Sequence, residues 1–366
     1  MTGMMGKRQS EYQLADSSEI PATPEASLPE LFLMQNDFQW SSYVRIPDAP
    51  WTTKPLDTLA LKYDTVEQHG WYSNLDQTVE QVGEFIRRGD VLVDYSGGTG
   101  ILAKRLLDRI GSKDIGIVIV DSSPKFLRLA LEKFRDEKRI GFRQIRYLKD
   151  LKRLEQVHEV LGEDVLERGV DGLISSNAIH LYYDLEETLR SWRKVIRPTG
   201  RVFVQSGNIR NPEMPDDEWI IDETVEVIHE AAKQIVREDE AYAQYQAALD
   251  DADHMAAHDA LRRRYFLPVR PLDYYLDALR DAEFEISSVQ RRRIPARVDE
   301  WFEFLSVYHE GVLGWVGGAE KITGSPISDA VAEDRLALMQ RAMERVFGGA
   351  FEFGASWTYI TCEPRD

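Results

Sequence analysis

Residues 91–106 read VLVDYSGGTGILAKRL, and this stretch decides the fold. An apolar run ends at Asp94, a turn of small residues follows from Ser96 to Gly100, and a helical pattern starts at Ile101. A strand, a glycine-rich turn and a helix start, in this order, bring backbone N–H groups close to a ligand. The stretch therefore predicts a nucleotide-type binding site at the turn.

Asp94 distinguishes between two ligand classes that use such a turn. The spacing Gly98-x-Gly100-x-x-Ala103 also fits a relaxed dinucleotide fingerprint. A dinucleotide places a pyrophosphate over the turn, whereas S-adenosylmethionine (SAM) brings an ammonium, a sulfonium and a ribose. A carboxylate repels a pyrophosphate but forms a charge-assisted hydrogen bond with an ammonium. Asp94 therefore favours SAM over NAD.

The charge balance and the single cysteine limit the class of protein. The 366-residue chain carries 45 Lys and Arg against 63 Asp and Glu, a formal net charge of −18. This charge disfavours nucleic acid or an anionic membrane as the main partner. Cys362 alone excludes an intrachain disulfide and is typical of a reducing compartment. No apolar run approaches the ~20 residues of a spanning helix, so we expect a cytoplasmic protein.

The region ahead of the turn divides into two parts. Residues 1–30 are polar and rich in Ser, Pro and Glu, which predicts a disordered tail. Residues 31–88 are predicted to form an N-terminal helical or lid segment. Its apolar part, residues 31–44, is expected to dock on the body of the protein or on a second copy, giving a homodimer. Asn74 is predicted to N-cap a helix that runs through Arg88.

Apolar runs and amphipathic helices alternate from Gly89 to Gly207. This alternation is typical of an α/β, Rossmann-like doubly wound sheet with helices on both faces. Residues 89–207 are therefore the predicted SAM-binding core. The predicted strands are residues 91–95, 115–120, 143–148, 172–176 and 201–205, and the predicted helices are residues 100–110, 124–137, 151–161 and 185–196.

Two insertions interrupt the C-terminal part of the pattern. Residues 208–268 are acidic and helical, and residues 296–352 contain two helical stretches around a glycine-rich turn. Residues 269–295 return to the core pattern, and residues 353–366 contain an alternating segment that predicts the final core strand. The two insertions are long enough to form a helical cap over the ligand edge of the sheet.

Two aspartates follow later strands. Asp121 ends the second predicted strand, where a carboxylate accepts hydrogen bonds from ribose hydroxyls or N-caps the next helix. Asp150 ends the third, where it accepts from an adenine amino group or N-caps a helix. Both roles stay open for both residues.

Successive segments resemble the motifs of class I SAM-dependent methyltransferases. They are VLVDYSGGTG, IVIVDSS, YLKDL, GLISSNAIHLYYDLEETLRSWRKVIRPTGRVFVQSG and the last alternating segment. The chain is similar to the small-molecule branch that includes the menaquinone and ubiquinone methyltransferases. The resemblance implies a seven-stranded sheet whose last strand is antiparallel, SAM as cofactor, and methyl transfer as the activity.

The resemblance also implies a set of cofactor-binding residues around the ends of the first four strands and in the segment ahead of them. These are Tyr63, Asp94, Ser96, Gly97, Gly98, Gly100, Asp121, Ser122, Asp150, Leu151, Asn177 and Ala178. Ser96 departs from the family, which has glycine at that position. Serine can fit there if its φ is negative.

His180 lies just past the fourth strand, where small-molecule relatives often place a histidine that faces the substrate. An imidazole can take a proton from a hydroxyl or an amine during methyl transfer, which makes His180 the candidate catalytic base. A structural histidine bonded to the backbone of the turn is the alternative.

Aromatic residues near the turn and in the predicted cap suit a small apolar or aromatic methyl acceptor. His254 and His258 stand one helical turn apart in an acidic segment, which we interpret as a solvated helix face, and we predict no metal site. The atom that receives the methyl group is unassigned among oxygen, nitrogen and carbon. The candidate acceptor-binding residues are Trp71, Tyr72, Tyr183, Tyr265, Trp301 and Tyr308.

Two other functions fit the same frame. One is an NAD-dependent oxidoreductase on a similar nucleotide-binding sheet, against which Asp94 argues. The other is a non-catalytic SAM-binding or scaffold protein whose insertions serve assembly.

Overall fold

A central sheet organises the structure, a computed structural model that describes residue 40 and residues 43–65 and 68–365. The predicted disordered tail and most of the apolar arm lie outside the described residues. The strands are β1 (Val91–Tyr95), β2 (Gly116–Asp121), β3 (Ile140–Gln144), β4 (Tyr147–Leu148), β5 (Arg153–Leu154), β6 (Val170–Ser176), β7 (Ile196–Ser206), β8 (Ile209–Arg210), β9 (Glu218–Trp219), β10 (Arg270–Pro271), β11 (Phe284–Arg297) and β12 (Glu352–Pro364).

Seven of these strands lie side by side in the order β11-β12-β7-β6-β1-β2-β3. Strands β3, β2, β1, β6 and β7 pair in parallel, and β12 runs antiparallel to both β7 and β11. The predicted seven-stranded sheet with an antiparallel last strand is therefore confirmed. The two-residue β9 adds a short parallel pairing to β12.

The helices follow the same chain order. They are α1 (Thr58–Thr65), α2 (Asn74–Phe85), α3 (Ile101–Ile110), α4 (Pro124–Phe134), α5 (Val157–Val160), α6 (Glu163–Arg168), α7 (Leu185–Val195), α8 (Glu223–Glu238), α9 (Gln246–Asp250), α10 (Ala252–Tyr265), α11 (Leu272–Asp281), α12 (Val298–Val307), α13 (His309–Leu313), α14 (Glu320–Thr323) and α15 (Asp329–Phe347). Short 3-10 turns lie at Pro50–Thr53, Gly70–Ser73, Ile179–Leu181 and Glu240–Tyr245. Within the described residues, no helix has the length and apolar character needed to cross a membrane.

The central strands are buried on both faces because their side chains alternate between two hydrophobic clusters. Leu92 and Ile117 point to the cluster that holds α2, α3 and α4, and Val93 and Val118 point to the cluster that holds α7 and α11. A near-continuous apolar strand is what a parallel sheet with helices on both faces requires. Together the two clusters make a doubly wound core.

The prediction for residues 143–161 was wrong. The third strand ends at Gln144, and the chain then forms the antiparallel hairpin β4–β5, followed by the one-turn helix α5. Arg146 and Glu155 form an ion pair, with Nη2 and Oε1 2.5 Å apart, next to this hairpin. The apolar residues Tyr147, Leu151 and Leu154 suggested a buried strand and helix, yet their side chains are exposed.

Helices of the two insertions pack against each other. Helix α8 packs on α15, α10 on α13, and α12 on α15. The buried apolar side chains of α8, α12, α13 and α15 belong to the same cluster as those of α2, α3 and α4. Arg291 and Arg293 of β11 pair with Glu218 and Asp217, at 2.6 Å and 2.9 Å, so basic and acidic runs neutralise each other here. A cap role for residues 208–268 and 296–352 stays a prediction.

Candidate functional site

A pocket lies where β1 and β6 end, at the edge of the sheet predicted to bind a ligand. Parallel sheets bind ligands beyond the carboxyl ends of their strands. The pocket is lined by Tyr63, Tyr72, Leu75, Asp94, Ser96, Gly97, Gly98, Thr99, Ile101, Leu102, Ser176 and Asn177. Seven of these are candidates from the sequence: Tyr63, Tyr72, Asp94, Ser96, Gly97, Gly98 and Asn177.

Asp94 is the buried acid of this pocket. Its side chain is 1% exposed, and its Oδ2 has no hydrogen-bond partner among the described residues. Burial, with a smaller contribution from the negative charge of Asp121, raises the pKa of Asp94 to about 7. A buried carboxylate without donors is unstable unless a cation or a donor reaches it. The pocket therefore suits an ammonium group and opposes a phosphate.

The glycine turn packs tightly around Asp94. A Cβ on Gly97 would lie 2.7 Å from the carboxyl carbon of Asp94. Gly100 has φ 80°, and a Cβ there would lie 2.6 Å from Cε2 of Phe134 on α4. Gly97 thus lets the turn approach the acid, and Gly100 lets α3 start close to the sheet.

Asp121 holds the turn from the neighbouring strand. Its Oδ2 accepts a hydrogen bond from the Gly98 N–H at 2.9 Å, and its Oδ1 accepts from the Ser123 N–H at 2.7 Å. Burial raises the pKa of Asp121, and these backbone donors oppose the rise. The N-cap of α4 is Ser123, whose Oγ accepts from the Phe126 N–H at 3.3 Å. Each oxygen of Asp121 keeps a lone pair that can accept a ribose hydroxyl.

Two pocket residues other than glycine adopt left-handed backbone conformations. Ser96 has φ 59° and Asn177 has φ 53°. The condition of a negative φ at Ser96 is not met: this position has the conformation that the family satisfies with glycine. For a residue with a Cβ the left-handed region costs about 1–2 kcal/mol. Such strain is typical of binding sites, where the surrounding structure maintains it.

Tyr63 and Tyr72 form the phenol side of the pocket. The Tyr72 hydroxyl donates to the Tyr63 hydroxyl at 3.5 Å, and the Tyr63 ring stacks on Phe126 with centroids 4.9 Å apart. Burial raises the pKa of both phenols, so both stay neutral hydrogen-bond donors at ordinary pH. Trp71 is buried beside them, and its ring lies 6.2 Å from that of Trp301.

The aromatic candidates in the insertions differ in their position. Tyr308 lies close enough to Tyr63 and Tyr265 to interact with them electrostatically, and its ring is 6.0 Å from that of Tyr265. Trp301 is buried, and its Nε1 donates to the Thr224 hydroxyl at 2.8 Å. Tyr183 is 85% exposed and does not line the pocket.

His180 is held through both ring nitrogens and does not line the pocket. The side-chain oxygen Oδ1 of Asn208 accepts from the Asp222 N–H at 3.0 Å, so its amide nitrogen Nδ2 faces His180 Nε2, also at 3.0 Å. Nε2 is then the acceptor, and Nδ1 donates to the Ser206 hydroxyl at 3.0 Å. Burial lowers the pKa of His180 to about 4.

Asp150 and Leu151 lie away from the pocket lining, on the exposed turn of the β4–β5 hairpin. The prediction that Asp150 ends the third strand was wrong, because the strand stops at Gln144. Ala178 is buried next to Asn177, and Ser122 follows Asp121, with its carbonyl oxygen 3.5 Å from the Gln144 amide. Of these four candidates, only Ser122 and Ala178 directly follow other candidate residues at the ligand edge of the sheet, Asp121 and Asn177.

Several pocket residues were absent from the sequence-based candidates. They are Leu75, Thr99, Ile101, Leu102 and Ser176. Ile101 and Leu102 follow a helical apolar pattern and serve the core as well, so periodicity alone does not separate the two uses. Thr99, Ile101 and Ser176 are direct sequence neighbours of the candidates Gly98, Gly100 and Asn177, and this adjacency was the available signal for them.

The described residues contain no group of three or more His, Cys, Asp or Glu side chains placed to hold a metal ion. The interpretation of His254 and His258 as a solvated helix face was wrong. His258 is 4% exposed, and the two rings lie 4.4 Å apart. The His254 Nε2 lies 3.0 Å from the Trp315 carbonyl oxygen, so this helix face packs inward.

Comparisons with known proteins identify the segment that contains the site. The methyltransferase domain family matches residues 93–202. A hybrid PKS-NRPS synthetase, apdA of Emericella nidulans, is 30% identical over 131 residues, which is 36% of this chain and 3% of that protein. The ubiquinone/menaquinone biosynthesis C-methyltransferase UbiE of Idiomarina loihiensis is 28% identical over 119 residues, 32% of this chain and 43% of that protein. The chain thus spans less than half the length of either curated relative.

Solved structures of low sequence identity are also similar. The YcgJ protein from Bacillus subtilis is 12% identical, with 81% of this chain and 99% of that chain covered at a TM-score of 0.45. A phosphoethanolamine N-methyltransferase 2 from Haemonchus contortus, in complex with phosphomonomethylethanolamine and S-adenosylhomocysteine, is 11% identical, with 84% and 57% covered at a TM-score of 0.44.

The family match begins inside β1 and ends inside β7, so it covers the glycine turn, Asp121 and the end of β6. SAM is the cofactor of this family. Residues 93–202 therefore carry the segment that matches the methyltransferase domain family, and over this segment the chain is similar to class I SAM-dependent methyltransferases.

Proposed function

We propose that the protein transfers the methyl group of SAM to a small apolar or aromatic acceptor. The proposal rests on the buried Oδ2 of Asp94 beside the glycine turn, which has no hydrogen-bond partner among the described residues. An ammonium group satisfies this oxygen, whereas the pyrophosphate of NAD does not. We assign the methyl-transfer activity of the whole chain, insertions included, to this pocket.

The chain's own residues supply contacts for the methionine and ribose parts of the cofactor. Asp94 takes the ammonium, and the turn from Ser96 to Gly98 lies along the methionine part. Asp121 accepts from the ribose hydroxyls while it anchors the turn. The left-handed Asn177 closes the methionyl end. When bound, SAM supplies an electrophilic methyl group on a sulfonium, which an acceptor displaces in line.

The acceptor side is aromatic. Tyr63 and Tyr72 share the pocket with Asp94. The buried rings of Trp71 and Trp301 pack behind Tyr72, and Tyr308 lies near Tyr63. Large rings bind apolar or aromatic molecules through buried area, and the phenols donate to an acceptor oxygen. The net charge of −18 further supports a small molecule over nucleic acid.

Methyl transfer from isotope-labelled SAM tests the function directly. The purified full chain is incubated with a panel of phenols, aromatic amines and 1,3-dicarbonyl compounds, and the label is located by mass spectrometry. We expect label on at least one apolar or aromatic acceptor and equimolar S-adenosylhomocysteine. Tight S-adenosylhomocysteine binding without transfer to any acceptor would favour a non-catalytic SAM-binding protein.

We expect His180 to act as a structural residue. A general base typically contributes 10²- to 10⁴-fold to a rate, but its Nε2 is occupied by Asn208 and its pKa is lowered to about 4. The variant His180→Ala should therefore lower kcat by less than about tenfold and leave the pH profile unchanged. The matched variant is Asn208→Ala, which removes the amide group that engages Nε2 of His180. A loss of more than about 100-fold in His180→Ala, with a changed pH profile, would instead establish the base.

The affinity for S-adenosylhomocysteine should rise with pH up to about 7 and then level off, because burial raises the pKa of Asp94 to about 7. Below that pH the unliganded acid is protonated, and binding of the ammonium must release its proton. The expected slope below pH 7 is about tenfold in Kd per pH unit. Calorimetry between pH 5.5 and 8.5, in buffers of different ionisation enthalpy, measures both the slope and the released proton. A flat profile would contradict the ammonium contact.

A further inference from the structure

Asn74 connects two walls of the pocket without lining it. It is the first residue of α2 and is 0% exposed. Tyr72 and Leu75, its near neighbours in sequence, line one wall, and Ser176 and Asn177 line the other. The predicted N-cap role was wrong, because the carboxamide does not cap α2: its Nδ2 donates to the Trp71 carbonyl oxygen at 2.7 Å.

The other end of the carboxamide receives two donors. Asn74 Oδ1 accepts from Asn177 Nδ2 at 3.3 Å and from Gln205 Nε2 at 3.2 Å. The Asn74 carbonyl oxygen also accepts from the Tyr359 hydroxyl at 2.7 Å. One buried residue therefore ties the start of α2 to β7, to β12 and to the end of β6.

Asn177 depends on these contacts for its shape. Its φ of 53° is a left-handed conformation that an isolated asparagine populates only as a minority state. The Trp357 Nε1 donates to Asn177 Oδ1 at 2.9 Å, so Asn74 and Trp357 hold the two ends of its carboxamide. With its side chain fixed, the backbone of Asn177 is presented to the pocket in one orientation.

We propose that Asn74 is a positioning residue for the methyl donor: it holds Asn177 in its left-handed conformation and fixes the distance between the Tyr72–Leu75 wall and the Ser176–Asn177 wall. The inference rests on the proposed function, because it assigns the donor to this pocket. The inference adds Asn74, a residue outside the pocket lining, whose loss would weaken binding of the methyl donor by releasing Asn177. A preorganised site binds more tightly because less ordering remains to be done on binding.

The test replaces Asn74 with leucine, which branches at Cγ as asparagine does and makes no side-chain hydrogen bonds. The matched control is Asp171→Ala: Asp171 is also buried and hydrogen-bonded, accepting from the Val91 N–H at 2.8 Å, but it lies at the opposite end of the same strand β6. Both variants should melt at a lower temperature than the wild type. S-adenosylhomocysteine binding is measured by calorimetry well below all three melting temperatures.

We expect Asn74→Leu to raise the Kd for S-adenosylhomocysteine by about tenfold or more, and Asp171→Ala to leave it within about twofold. If Asn74→Leu does not fold, Asn74→Ala leaves room for water at the freed groups and should still raise the Kd by about fivefold. A folded Asn74 variant with wild-type affinity would overturn the inference alone. No binding by the wild type would overturn the proposed function as well.

Discussion

The variant Asp94→Asn should bind S-adenosylhomocysteine at least about 100-fold more weakly than the wild type, because removing one partner of a buried ion pair typically costs about 3–5 kcal/mol. The substitution keeps the volume of the side chain and removes only its charge. The change should also abolish the pH dependence of binding below pH 7. Isothermal calorimetry at pH 8 and pH 6 measures both effects.

The same variant should be at least as stable as the wild type without ligand. Because the pKa of Asp94 is raised by burial, the folded protein keeps this proton to higher pH than the unfolded chain does. The unliganded wild type therefore loses stability as pH rises from about 4 to about 7, and the asparagine removes that loss. A destabilised, binding-competent Asp94→Asn would show that the acid serves the fold and not the ligand.

The variant Gly100→Ala should lower the free energy of unfolding by about 2–4 kcal/mol. About 1–2 kcal/mol comes from the left-handed conformation, since φ is 80°. The remainder is overpacking, because the new Cβ would lie 2.6 Å from Phe134 Cε2 and 3.2 Å from Ile119 Cδ1. Denaturant titration with an unchanged m-value measures the loss.

Gly98→Ala is the control for this comparison. Gly98 also has a positive φ, 55°, but a Cβ there would meet nothing within 4 Å. Gly98→Ala should therefore lower the free energy of unfolding only by the cost of the left-handed conformation, about 1–2 kcal/mol. Equal stability of the two variants would show that the contact between α3 and α4 is looser than the structure indicates.

Regular alternation made much of the core predictable from the sequence. Strands between residues 91 and 206 show long apolar runs, and the turn at Gly97–Gly100 separates strand from helix by residues with special backbone freedom. The position of Asp94 at the end of the first strand, beside the glycine turn, was predictable from the sequence, and Asp94 does line the pocket there. The resemblance then supplied the number of strands in the sheet and the antiparallel direction of the last strand, β12.

Features that depend on long-range contacts were not predictable in this way. The hairpin that carries Asp150 has the apolar residues of a strand, and only the tertiary structure shows that they are exposed. Ser96 has a positive φ because the turn requires it, whatever its own preference. The engagement of His180 by Asn208, and of Asn74 by Asn177, joins residues 28 and 103 positions apart, a distance over which local patterns carry no information.

The central claim is that the pocket beside Asp94 selects SAM over a dinucleotide. Calorimetric titration of the purified chain with S-adenosylhomocysteine and with NAD, side by side at pH 8, tests it most directly. We expect saturable binding of one S-adenosylhomocysteine per chain and no measurable heat from NAD. Binding of NAD without binding of S-adenosylhomocysteine would contradict it.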